Sequence, residues 1–224
     1  HEITPLYPAL VQLRCSHPAL KGLKGIRTQA ELTLMIDDQA VLRETGELLL
    51  TDYGVSGICV FQLSREAAPA LAQGRSVRLA VNFLPEIPSL LPWLDARIRQ
   101  LAPASLLTLT TGVLPRLLAQ TVIREARLSP DMPAEALSES EKQALCGALS
   151  AFPLVVTGTQ GFANAQVTRG GVSLADVDPS TMASRLFDGL HIIGELLDVD
   201  GPCGGYNLHF AFAGALAAAK AIAG

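Results

Sequence analysis

Residues 167–214 read VTRGGVSLADVDPSTMASRLFDGLHIIGELLDVDGPCGGYNLHFAFAG, and the fold turns on this stretch. Leu190–Ile193 is a short apolar run between Gly189 and Gly194, as expected of a strand buried on both faces. Glu195 follows at once, then Asp198, Asp200 and Gly201, the pair Gly204-Gly205, and a small-residue helix from about Tyr206. Strand, glycine turn and helix start together place backbone N–H groups where they can meet electron-rich ligand atoms. Dinucleotide sites are built this way. A carboxylate at the end of a buried strand needs partners, and the diol of a sugar or ribityl chain would supply two donors. Gly204 and Gly205 let backbone come within van der Waals reach of a flat ring. Beyond them Leu208, Phe212, Ala215, Leu216, Ala219 and Ile222 recur at spacings of three and four, a stripe expected to lie against a sheet. The same glycines would also suit a βα turn that is merely tight, and the residues alone leave both readings open.

Upstream the pattern changes. Ala30, Leu32, Leu34 and Ile36 alternate with Gln29, Glu31 and Thr33, and Val77, Leu79, Val81 and Phe83 repeat the period of two. Asp37-Asp38-Gln39 reads as the turn between strands. Ser56 is placed to cap a helix from about Ile58 to Gln73, closed by Gly74. Residues 86–150 switch to helical spacing, and prolines at 88, 92, 103, 115, 130 and 133 divide them into short helices. Ser138 and Glu141 have capping-box spacing. In TDYGVSG, residues 51–57, Tyr53 and Ser56 offer hydroxyls on a loop that Gly54 and Gly57 keep tight.

Three blocks resemble the BaiN-type bacterial flavoproteins, NAD(P)/FAD-dependent oxidoreductases whose relatives include aminoacetone oxidases. The first joins TRGGV (168–172), STM (180–182) and GLHIIGELLDVDGPCGGYN (189–207); the others are TGELLLTDYGVSG (45–57) with FQLSR (61–65), and PLYPALVQL (5–13). The sequence departs from the family in having His209 and Phe210 in place of glutamine and tryptophan, and Ile58 in place of proline. No G-x-G-x-x-G, the loop that holds the FAD pyrophosphate in such proteins, occurs in the 224 residues.

The resemblance implies an α+β, multidomain chain. A small flattened β-barrel-like domain would take residues 1–83 and about 151–166, and a short-helix subdomain residues 84–150. Residues 167–224 would be the C-terminal strand-loop-helix part of an α/β FAD-binding domain whose N-terminal nucleotide-binding half is absent. By the same resemblance the chain is expected to be a fragment of an FAD-dependent oxidoreductase, passing hydride through flavin N5 between NAD(P)H or a small organic substrate and an acceptor. Glu195 would hold ribityl hydroxyls, Gly170 and Gly171 would let backbone pass close to the ring, Gly194 would belong to the same cofactor-binding set, and the N–H groups of Gly205, Tyr206 and Asn207 would face the flavin N1–C2=O edge. Gly204 completes that set, and Tyr53, Ser56 and His209 are the candidates for the substrate pocket. No general acid or base is assigned. FAD binding is expected of the intact protein and not of this chain by itself. The alternative is a non-catalytic binding or assembly module that keeps the fold without the cofactor.

Composition bears on partners. The chain is 49% hydrophobic with a mean hydropathy of +0.34, high enough to suggest apolar surface that expects a partner, either the absent half or a second copy in a homodimer. Seventeen Lys and Arg against 21 Asp and Glu give a net charge of −4, which offers nothing electrostatic to nucleic acid or an anionic membrane. Residues from 166 onward carry six acids against Arg169, Arg185 and Lys220, so phosphate contacts there would fall to backbone N–H groups. Cys15, Cys59, Cys146 and Cys203 show no paired spacing, pointing to a reducing, cytoplasmic setting. Scattered histidines provide no metal-ligand spacing.

Overall fold

The computed structural model describes residues His1–Gly224. Six antiparallel strands close into a barrel: β2 (Leu13–Ser16), β3 (Arg27–Ile36), β4 (Gln39–Leu50), β5 (Gly54–Ser56), β6 (Val77–Asn82) and β7 (Phe152–Thr159), in the order β2-β5-β4-β3-β6-β7. The period-two alternation sets this register. Ala30, Leu32, Leu34 and Ile36 are buried on one face of β3, as are Val77, Leu79 and Val81 on β6, so neighbouring strands fill one interior. Asp37 and Asp38 form the β3–β4 turn with φ of 49° and 64°, left-handed positions that short polar side chains tolerate.

The helix α1 (Ile58–Ala72) leaves β5 and packs back onto the barrel, with Cys59, Val60, Leu63 and Ala67 on its buried side. Ser56 does not cap it, contrary to expectation: Ser56 lies within β5, opposite Leu49, and Gly57 stands at the N-cap with no side-chain hydrogen bond. Between β6 and β7 come α2 (Leu90–Leu101), α3 (Leu106–Leu109), α4 (Arg116–Glu125) and α5 (Glu139–Ser150). The Ser138–Glu141 capping box is present at the start of α5. Barrel and helices share one core of 38 buried residues, so the insert is not packed independently.

A second unit is assembled from both ends of the chain. The strand β1 (Tyr7–Ala9) pairs antiparallel with β8 (Val167–Arg169). Ile3 bridges Val172, and Val172 bridges Leu197 in parallel. The chain closes with α6 (Tyr206–Ala223). This unit has its own small core of Val177, Met182, Ile192, Leu197 and Ala218.

Two expectations fail here. Leu190–Ile193 joins no sheet; its one bridge is Ala183 to His191, and Leu190 and Ile193 are exposed. The segment's pairing is confined to residues 182–184, through Ser184 N–H to the Leu190 carbonyl and Ile192 N–H to the Met182 carbonyl, too short a ladder to make a strand. The apolar stripe of α6 also lies against nothing: Leu208, Phe212, Leu216 and Ile222 are 64–70% exposed, whereas Gly214 and Ala218 form the buried side. A Cβ on Gly214 would make only ordinary contact, 3.7 Å from the Met182 sulfur, so closeness alone does not demand glycine there. No helix is long and apolar enough to cross a membrane.

Phe152 is buried at the junction of insert and barrel, its ring 5.6 Å from Phe83 and 4.8 Å from His17. Phe152→Ala is expected to cost about 3–5 kcal/mol in denaturant unfolding, whereas Val155→Ala, on the outward side of the same strand, should stay within about 0.5 kcal/mol. The Ser138 hydroxyl and N–H hold the Glu141 carboxyl below its ordinary range. Such a group stabilises the fold above the unfolded pKa and loses that contribution as pH falls through the folded one. Unfolding curves of wild type and Glu141→Gln should therefore differ at neutral pH and converge as pH drops below about 4.

Candidate functional site

The glycine turn Asp200–Gly205 is held from three sides. From α1, Arg65 donates through Nε to Asp200 Oδ2 at 2.6 Å and through Nη2 to the Asp200 carbonyl at 2.7 Å. One turn earlier on α1, Gln62 Oε1 accepts from the Cys203 N–H at 3.0 Å. From α6, Asn207 clasps Gly201 in both directions, Oδ1 accepting from its N–H at 2.7 Å and Nδ2 donating to its carbonyl at 3.0 Å. Arg169 of β8 adds a further tie to α1, donating to the Arg65 carbonyl at 2.5 Å and to Glu66 at 2.8 Å. The carboxylate of Asp200 is only 10% exposed, so loss of Arg65 would leave a poorly hydrated charge without its partner.

The turn opens on a cavity of about 330 Å³, lined by Glu195, Cys203, Gly204, Gly205, Asn207 and Phe210 among others. Gly205 has φ of +89°, and a Cβ built on it would touch nothing within 4 Å, so the space before it is open. The following helix start has no side-chain cap, and the N–H groups of Tyr206, Asn207 and Leu208 have no partner in the protein. Glu195 stands on a single helical turn, Gly194–Leu196, and Oε1 accepts from the Thr168 N–H at 2.6 Å. The same carboxylate borders a second cavity of about 470 Å³, lined by Ile3, Leu6, Gly170, Gly171 and Leu196. Open glycine, orphaned N–H groups and a half-committed carboxylate form a donor and acceptor set that suits a flavin dinucleotide.

The remaining site candidates fall in different places. Gly170 and Gly171 line the 470 Å³ cavity, but closeness to protein backbone already requires them to be glycine: a Cβ would lie 2.2 Å from the Pro5 carbonyl and 2.5 Å from the Leu196 carbonyl. Gly194 is buried beneath α6, where its Cβ would meet Ala211 at 3.4 Å. The Tyr206 ring lies back over Gly204. His209 is exposed and absent from the cavity walls. Ser56 lines a third cavity, of about 420 Å³, between β4 and the start of α1, whereas Tyr53 does not. Burial pushes the Cys203 thiol up, partly offset by the Arg65 guanidinium, which disfavours the thiolate a redox role would need. Sequence reasoning missed Gln62 and Arg65, whose partners lie 141 and 135 residues away.

The family described as HI0933-like protein barrel and H2TH domain matches residues 7–167, which cover the barrel and its helical insert. The chain belongs to this family. Over its whole length the HI0933-like chain is 38% identical to 55% of a 3-dehydro-bile acid delta(4,6)-reductase of Clostridium scindens. Over 97% of its length it is 32% identical to 52% of a ribosomal RNA dihydrouridine synthase of Escherichia coli. A protein of the same description from Haemophilus influenzae is 30% identical over 91% of the chain and 48% of its own length. The chain thus spans about half the length of these curated relatives, and the first of them supports the resemblance to BaiN-type oxidoreductases.

The glycines divide into two kinds, and substitution should separate them. Gly171→Ala forces a Cβ against backbone at φ of +150° and should destabilise the protein by several kcal/mol. Gly205→Ala meets only the left-handed penalty of about 1–2 kcal/mol and should still fold. Thermal melts of the two variants check this ordering.

Proposed function

We propose that this chain is the barrel, helical insert and C-terminal part of an FAD-dependent oxidoreductase, and that the Gly204–Asn207 turn holds part of the cofactor. The uncapped start of α6 facing an open glycine carries this reading. FAD bound there would supply hydride transfer through its N5 to or from a small organic substrate. In this reading the N–H groups of Gly205, Tyr206 and Asn207 lower the cost of negative charge at the N1–C2=O edge, where the helix start adds its positive end. Glu195 accepts from ribityl hydroxyls with the oxygen not bonded to Thr168. Arg65, Gln62 and the Asn207 side chain keep the turn in shape before the cofactor arrives, so little reorganisation is left for binding.

The exposed α6 stripe, the exposed Leu190 and Ile193 and the 470 Å³ cavity are apolar surface that the C-terminal unit leaves open. We assign them to contact with a nucleotide-binding half that carries the glycine fingerprint, in keeping with relatives about twice as long. The 420 Å³ cavity next to Ser56 is assigned to substrate. A pair of names among the relatives, a bile acid reductase and a dihydrouridine synthase, is consistent with a reductive role.

Visible absorbance after incubation with FAD and desalting tests this. The chain together with the nucleotide-binding half should retain flavin bands, and Gly205→Val in that protein should lose at least about tenfold in FAD affinity because the side chain fills the space in front of the turn. A colourless protein with both halves present would overturn the proposal.

A further inference from the structure

The 420 Å³ cavity lies where β4 meets the start of α1, and its polar groups are oddly free. Ser56 is 8% exposed, lines the cavity, and its hydroxyl makes no hydrogen bond within the protein. The hydroxyl itself stays open to the cavity, so a molecule entering there can pair with it without displacing a protein contact. Gln62 also lines this cavity; its Oε1 is committed to the Cys203 N–H, and its Nε2 has no partner in the protein. The Gly57 cap contributes no side-chain bond, so the first N–H groups of α1 also lack a side-chain partner. Three kinds of donor therefore gather in one place.

One acceptor stands among them. Glu47 is ion-paired with Arg27, and its carbonyl is met by the Cys59 thiol. Glu44 is half-buried, lines the same cavity and has neither an ion-pair nor a hydrogen-bond partner in the protein. Its full negative charge exceeds the roughly half positive charge at a helix start, so the cavity as a whole repels anions.

We infer that this cavity takes a neutral small molecule presenting a carbonyl oxygen beside an N–H or O–H group, the carbonyl meeting Ser56 and Gln62 and the donor meeting Glu44. The inference rests on the assignment of this cavity to substrate and adds its chemical class. Glu44 is then the residue that turns away carboxylates and phosphates, by repulsion rather than by shape.

Benzamide and benzoate share one outline and differ in the donor and the charge, which makes them suitable probes. They are titrated into the protein while the backbone resonances of Ser56–Gln62 are followed by NMR. Benzamide should bind at least about tenfold more tightly than benzoate, and Glu44→Gln should bring the two within about twofold, because a glutamine amide can donate to a carboxylate. Ser56→Ala should weaken benzamide while preserving its lead over benzoate. Benzoate binding as well as benzamide in the wild type, or a ratio unchanged by Glu44→Gln, would overturn the role of Glu44 and leave the cavity assignment standing. Resonances that move with neither probe would overturn both.

Discussion

Arg65 reaches from the flank of α1 to both the carboxylate and the carbonyl of Asp200, and the C-terminal unit takes its position from that contact. This unit has only five residues in its own core, too few to offset the conformational entropy of ordering nearly sixty residues by apolar burial. Its order depends on other sources. The Arg65 fork, the Gln62–Cys203 bond and the Arg169–Glu66 pair all end on one helix, and that helix is rigid because its opposite side is embedded in the 38-residue core. Rigidity made in the barrel is thereby transmitted to a glycine turn that could not generate it locally. A turn with Gly201, Gly204 and Gly205 has much backbone freedom to lose, and its first half, Asp200 to Cys203, is the half held by side chains.

Arginine suits this role better than lysine. Its planar fork engages a side-chain oxygen and a main-chain oxygen of one residue together, which fixes direction as well as distance. The Asn207 clasp on Gly201 does the same from the other side, tying the turn to the helix that follows it. Between these two holds, the N–H groups at the start of α6 are left unpaired by construction. A serine or aspartate at Gly205 would improve the cap by only about a few tenths of a kcal/mol while incurring the left-handed penalty of about 1–2 kcal/mol at φ of +89°, so glycine is the residue this uncapped turn accepts.

What could be read from sequence and what could not divides along the range of the interaction. The barrel strands were legible because alternation in β3 and β6 is local and the Asp37-Asp38 turn is chemically specific. The Ser138 cap was legible for the same reason. Leu190–Ile193 has strand composition but pairs only with residues 182–184, and pairing is a property of two segments, not one. Ser56 precedes a helix as a cap would, yet β5 claims its backbone for pairing with Leu49, so strand register prevailed over capping. Gly170 and Gly171 were legible as close-approach positions, but which backbone approaches them emerges only once residues 5–6 and 196–197 fold against them. Arg65, Gln62 and Glu44 carry no local signal at all; each is an ordinary polar residue on a helix or strand until its distant surroundings are in place.

The two ends of α1 do different work, and that difference organises the molecule. Its first turn, uncapped at Gly57, borders the cavity shared by Ser56, Cys59 and Glu44; its middle, at Gln62, Arg65 and Glu66, grips the glycine turn and β8. Gln62 belongs to both, lining one cavity while bonding to Cys203 in the wall of the other. A ligand that drew on the Gln62 amide would therefore draw on the residue that holds the Cys203 N–H of the glycine turn. The two cavities thus share one side chain on a helix whose far side is embedded in the barrel core.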